Sequence, residues 1–273
     1  MKLEPHTYQG MVYYLIRPDL MNQGTIPLLM IHGHGGDHRG LEKLAQEVTG
    51  PVIIFDLPGF GDSKELSGPH TIENYVTFLQ KFITELSVNR YNLLGHSLGS
   101  AIALTLAAED PRVQRLLLLN PIPQFTVYIK YLIRTVNGLG TKMPAKMADA
   151  FVKARLYNLV TFLMHSRKRT DKVHAAEYLR AQNSAQYSFK TWSESGESIF
   201  FFDHIKIAQQ IGIPTLVLHG DKDSLTTLHA IKEFCEVLNA RLVRIAQAGH
   251  FLPLEHIKEA AHEINHFLDK NNE

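Results

Sequence analysis

The sequence predicts an α/β fold: a doubly wound, mostly parallel sheet with an inserted helical cap. Three observations predict it. Short apolar runs bounded by turn residues alternate with stretches of helical periodicity. Several runs are apolar on both faces, which suits parallel strands covered on both sides. The alternation breaks once, over residues 122–204, where helical patterns continue without a convincing strand.

The apolar runs lie at 11–17, 27–31, 51–55, 91–94, 115–119, 213–218 and 241–245. The string LLLL at 116–119 and TLVL at 215–218 show the two-faced pattern most clearly. Helical patterns lie at 41–48, 72–86, 98–108, 228–238 and 257–268. Residues 1–121 and 205–273 thus form the expected core, and 122–204 the expected cap. Ligands of such sheets bind beyond the carboxyl ends of the strands. Every motif below falls at such an end.

With 273 residues, 45% of them hydrophobic, the chain can build one large core. A net charge of +1 gives no global field for nucleic acid or a membrane surface. No run approaches the roughly 18 apolar residues of a membrane span. The N-terminal MKLEPHTYQG carries no apolar signal region. The single cysteine, Cys235, lies on a helical pattern and reads as a small buried apolar residue. These features lead us to expect a cytoplasmic protein.

Gly95-His96-Ser97-Leu98-Gly99 follows a predicted strand and opens a predicted helix. This G-x-S-x-G elbow strains the backbone at the serine, so the side chains two positions either side must vanish. Glycine supplies that space. Ser97 then rises above the sheet at a helix N-terminus, which favours developing negative charge. A serine hydroxyl needs a base. Candidates follow the later strands: His250 in Ala248-Gly249-His250-Phe251, and Asp221 or Asp223 in His219-Gly220-Asp221-Lys222-Asp223.

The elbow, the string His32-Gly33-His34-Gly35-Gly36, the string AGHFLPLEH around His250 and the loop Asp56-Leu57-Pro58-Gly59-Phe60-Gly61-Asp62-Ser63 together resemble the α/β-hydrolase superfamily. The resemblance covers about residues 10–121 and 205–270. It implies an oxyanion hole made by the backbone N–H groups of Leu98 and His34. It implies His250 as base and, by a G-x-x-D pattern counted from Gly220, Asp223 as its partner, with Asp221 left to shape the turn or cap the next helix. A second family location for the acid holds Asn120, whose amide cannot hold an imidazolium by charge. Asp56 is read as structural. His96 is expected to pack beside the elbow, His219 to end a strand, and His256 to sit on the first turn of the last helix. A serine nucleophile sets the chain apart from epoxide hydrolases and haloalkane dehalogenases.

Residues 32–38 also approach the H-x-H-x-D-H pattern of metallo-β-lactamases, but an extra residue before Asp37 breaks the register. We read the loop as glycine-rich with incidental histidines and expect neither metal nor organic cofactor. Residues 122–204 hold twelve Lys/Arg against six Asp/Glu, densest at Arg167-Lys168-Arg169. A solvated helical face accounts for that excess; an acidic carrier protein is a possible partner. Aromatics in the same stretch, Phe125, Tyr128, Tyr131, Tyr157, Phe162, Tyr178, Tyr187, Phe189, Trp192 and the run Phe200-Phe201-Phe202, suit packing or a pocket for an apolar acyl or aromatic group.

The expected reaction is hydrolysis of a small-molecule carboxylic ester through an acyl-enzyme. The alternatives are a thioesterase, a C–C bond hydrolase or lyase on the same triad, and a non-catalytic ligand receptor of the same fold.

Overall fold

In the computed structural model, the described residues are 3–125, 135, 138, 140, 142–153 and 187–269. The strands are β1 (Pro5–Tyr8), β2 (Met11–Ile16), β3 (Leu28–Ile31), β4 (Val52–Phe55), β5 (Tyr91–His96), β6 (Val113–Leu119), β7 (Thr215–Gly220) and β8 (Arg241–Ile245). The helices are α1 (Pro18–Asn22), α2 (Arg39–Glu47), α3 (Ile72–Glu85), α4 (Leu98–Glu109), α5 (Ala145–Lys153), α6 (Phe189–Phe201), α7 (His204–Ala208), α8 (Leu228–Val237), α9 (Leu252–Glu255) and α10 (Ile257–Asp269).

The strands form one sheet in the order β1-β2-β4-β3-β5-β6-β7-β8. β1 and β2 join antiparallel at one edge. From β4 to β8 every pairing is parallel. The two-faced apolar runs explain this. β3, β4, β5 and β7 are buried at every position. Along β3 the side chains alternate between two cores: Leu29 and Ile31 face the core shared with α3 and α4. Leu28 and Met30 face the core shared with α2 and α10. Helix α4 has no polar face through its first nine residues, all buried, so it lies inside the molecule rather than on it.

The sequence pattern missed β1 because Pro5, His6 and Thr7 are exposed and carry no apolar signal. Its turn into β2 uses Gln9 and Gly10, both at positive φ (47° and 87°), the left-handed pair that a two-residue hairpin needs. At the other end, α9 intervenes before the last helix. His256 therefore lies between α9 and α10 rather than on the first turn of α10. Of the stretch expected to form the cap, α5 and α6 are described. Most of its interior, including Tyr128, Tyr131, Tyr157, Phe162, Tyr178 and Arg167-Lys168-Arg169, lies outside the described residues.

One buried carboxylate ties the loops at the carboxyl ends of β3 and β4. Asp56 Oδ1 accepts from the His38 N–H and from His38 Nδ1, each at 2.7 Å. Its Oδ2 accepts from the Asp62 N–H at 2.9 Å. Gly61, at φ 57°, leaves room for it: a Cβ there would lie 2.4 Å from Oδ2. Burial alone would raise the Asp56 pKa, but the His38 hydrogen bond and charge outweigh it and hold the carboxyl below its ordinary value. Its contribution to stability is therefore present above the ordinary carboxylate pKa and is lost as pH falls through the folded value. Asp56→Asn turns an amide donor against an N–H. We expect it to cost about 3 kcal/mol in urea unfolding at neutral pH and to flatten the acid limb of the stability profile. An unchanged midpoint would show that the knot is dispensable.

Candidate active site

The site is assembled where β5 meets α4. Ser97 sits at φ 54°, ψ −116°, a conformation that a side chain rarely adopts. The neighbouring glycines make it possible. A Cβ on Gly95 would lie 2.1 Å from Gly99 O, and one on Gly99 would lie 2.3 Å from Ile31 O. Both would meet backbone, which cannot swing aside. The turn is further held by Ser100 Oγ–H donating to Gly95 O at 2.7 Å.

Ser97, His250 and Asp223 come together although they are far apart in the chain. Ser97 Oγ lies 3.0 Å from His250 Nε2, and His250 Nδ1 lies 2.8 Å from Asp223 Oδ2. Ser97 is 6% exposed and His250 4%, so the chain of bonds is nearly sealed from bulk water. Burial alone would raise the Asp223 pKa. The adjacent His250 and its hydrogen bond reverse the sign and hold the carboxyl well below the usual range.

Asp221 stands apart. Its Oδ1 accepts from the Gln247 N–H at 2.8 Å, which ties the turn to the loop after β8. It does not cap α8, where Thr227 Oγ1 accepts from the Ala230 N–H instead.

Several supports were not expected from sequence. Asn120, at φ 45°, donates from Nδ2 to the same Asp223 Oδ2 at 2.7 Å. The sequence reading gives it no part in the site; the structure places its amide on the Asp223 carboxylate. Leu225 N–H donates to the other oxygen at 2.9 Å. His96 Nε2 donates to His250 O at 2.8 Å, and burial, with the His250 charge, pushes the His96 pKa down to about 3. Glu255 Oε2 accepts from the Gly249 N–H at 2.6 Å. A pattern of polar residues at the ends of successive strands was the available signal. His219 lies within β7 near its end, and its buried Nδ1 has no partner among the described residues.

Loop 32–36 lies against the elbow. A Cβ on Gly33 would lie 2.9 Å from His96 Nδ1 and 3.2 Å from Ser97 Cβ. Leu98 N–H heads α4, where no residue of the helix can accept it. The three imidazoles of the loop have separate partners. His32 Nε2 accepts from the Leu57 N–H and Nδ1 donates to Gly33 O. His34 Nε2 donates to Trp192 O at 2.8 Å. His38 bonds Asp56. Asp37, His38 and Asp56 bring ligand-type atoms within 4.8 Å, but His38 and Arg39 already bond these carboxylates. Cys235 is buried in α8, and burial pushes its thiol up to about 12, away from the reactive thiolate.

The α/β hydrolase fold family matches residues 26–257, and the chain belongs to that family. It is similar to Lipase 3 of Moraxella sp. (strain TA144), 25% identical over 89% of this chain and 77% of the relative. It is also similar to a 2-hydroxymuconate semialdehyde hydrolase of Pseudomonas putida, 25% identical over 92% of this chain and 90% of the relative. Among solved structures, a thermophilic esterase from Thermogutta terrifontis superposes with a TM-score of 0.77 over 99% of this chain and 98% of the other, at 19% identity. The protein is a hydrolase of the α/β fold. Among the described residues no helix is long and apolar enough to cross a membrane.

Gly99→Ala tests the packing that shapes the elbow. The added methyl must displace backbone of β3, and we expect a loss of about 3 kcal/mol in urea unfolding. A variant as stable as the parent would show that α4 and β3 do not approach this closely.

Proposed function

We propose that the protein is a serine carboxylesterase acting on a small molecule with an apolar acyl or aromatic group. The observation that carries the reading is the unbroken hydrogen-bond chain from Ser97 through His250 to Asp223, raised on a strained elbow. Ser97 Oγ attacks the ester carbonyl while His250 Nε2 takes its proton. Asp223 keeps the imidazole in the tautomer with a proton on Nδ1 and stabilises the imidazolium that forms. The N–H groups of Leu98 and His34 hold the oxyanion, each contributing a few kcal/mol (roughly 3). His250 then protonates the departing alcohol. Water, deprotonated by the same base, releases the acid from the acyl-enzyme.

The lipase similarity supports an ester as the scissile group. The near full-length similarity to the 2-hydroxymuconate semialdehyde hydrolase supports a second reading, cleavage of a C–C bond by the same three residues. The basic excess in 122–204 is consistent with a thioester carried by an acidic protein, a third and weaker reading.

A fluorophosphonate probe together with a turnover assay distinguishes these claims from a receptor role. We expect one covalent adduct on the wild type, seen by intact mass, and none on Ser97→Ala. Turnover of p-nitrophenyl esters should fall about 10⁶-fold in Ser97→Ala and about 10⁴-fold in Asp223→Asn. Labelling without ester turnover, but with turnover of 2-hydroxymuconate semialdehyde, selects the C–C reading. Full activity in Ser97→Ala overturns the assignment.

A further inference from the structure

We infer that the His34 imidazole is a positioning residue that pins the oxyanion loop to helix α6, so that turnover depends on where this helix sits. The inference rests on the hydrolase reading above, in which the His34 N–H is one of the two oxyanion donors.

His34 is flanked by Gly33, by Gly35 at φ 70° and by Gly36, so its own backbone does little to fix its orientation. Its side chain reaches across 158 positions of sequence to Trp192 O, 2.8 Å away. The ring is held on two sides, 5.4 Å from the Trp192 ring and 6.2 Å from the Phe60 ring between centroids. Facing it on the next turn of α6 is Gly196, where a Cβ would lie 3.3 Å from His34 Nε2. Glycine is a poor residue for a helix interior, and here the space it leaves is taken by the imidazole.

Helix α6 is itself tied to the core. Glu194 Oε2 accepts from the His70 N–H, Ser198 Oγ accepts from the Ile72 N–H, and Thr191 Oγ1 meets His70 Nε2. A displacement of α6, such as a group pressing on it from the site would cause, is thus passed to the oxyanion N–H through one side chain. Burial keeps the ring neutral, with a pKa pushed down to about 4, so the link is a neutral N–H to carbonyl bond through the working range.

The test compares wild type, His34→Ala, His34→Gln and Gly196→Ala. His34→Ala should lower kcat for p-nitrophenyl esters by about 10- to 100-fold. Its KM should stay within about threefold, because the loss falls on the transition state. Fluorophosphonate labelling of Ser97 should slow in parallel. His34→Gln, whose amide can donate to Trp192 O, should recover most of the rate. Gly196→Ala carries the test even where His34→Ala fails to fold. It should melt no lower than the parent, since alanine favours the helix, yet turn over more slowly and shift the emission of Trp192, the only tryptophan in the chain. A stable His34→Ala at parental kcat and labelling rate overturns the inference and leaves the hydrolase reading intact. Gly196→Ala at parental kcat and emission does the same. A wild type that does not label overturns the hydrolase reading, and this inference with it.

Discussion

The backbone of Ser97 is the constraint on which the rest of the site depends. At φ 54° it stores strain of about 1–3 kcal/mol, and such strain persists only where the surroundings leave no alternative. Those surroundings are specific. α4 is buried along its first nine residues and cannot tilt away. Gly99 brings its backbone within contact of β3, and Gly95 lets the elbow close on itself. Ser97 N–H donates to Leu119 O of β6, so the strained residue is also stitched to the next strand. The apolar core thus holds a polar side chain, that of Ser97, in a conformation that its own local sequence disfavours.

Strand order does the rest of the assembly. The parallel part starts at β3, moves outward to β4, and returns to place β5 on the other side of β3. That reversal sets the loop after β3 directly beside the elbow after β5. The later strands β6, β7 and β8 then add one polar loop each: Asn120, Asp223 and His250. Because these strands are parallel and in register, their loops open on the same edge. Residues separated by 153 and 27 positions thus meet within 3.0 Å.

Much of this was legible in the sequence because it rests on patterns that have one physical cause. Two-faced apolar runs have few uses besides buried parallel strands, and glycine two positions either side of Ser97 has few uses besides the elbow. The resemblance to the family points to Asp223 rather than Asp221, and the two carboxylates take different partners. What was not legible depends on contacts between distant side chains. β1 has exposed residues and a turn whose geometry needs both Gln9 and Gly10. Asn120 looked like an absence of function because composition shows only that it carries no charge. Its role as donor to Asp223 follows from β6 and β7 being neighbours, which no local pattern states. His256 was misplaced because α9, four residues long, gives too few turns for a period to show.

The histidines complete the argument. A chain with fifteen of them, three within seven residues, invites a metal or a diffuse positive field. The structure uses them differently. Burial depresses the pKa of His32, His34 and His96, so all three stand neutral around the site, each with a ring N–H directed at a carbonyl. A neutral shell matters for the proposed chemistry. When His250 takes a proton from Ser97, the new positive charge meets one fixed negative charge, Asp223, and no standing cation from these rings opposes it. In a site this buried, charges interact far more strongly than in water. A second imidazolium close by would oppose the proton transfer that a single carboxylate is placed to favour. The desolvation that makes these rings poor acids and bases therefore suits the proposed reaction, in which His250 alone takes up the proton.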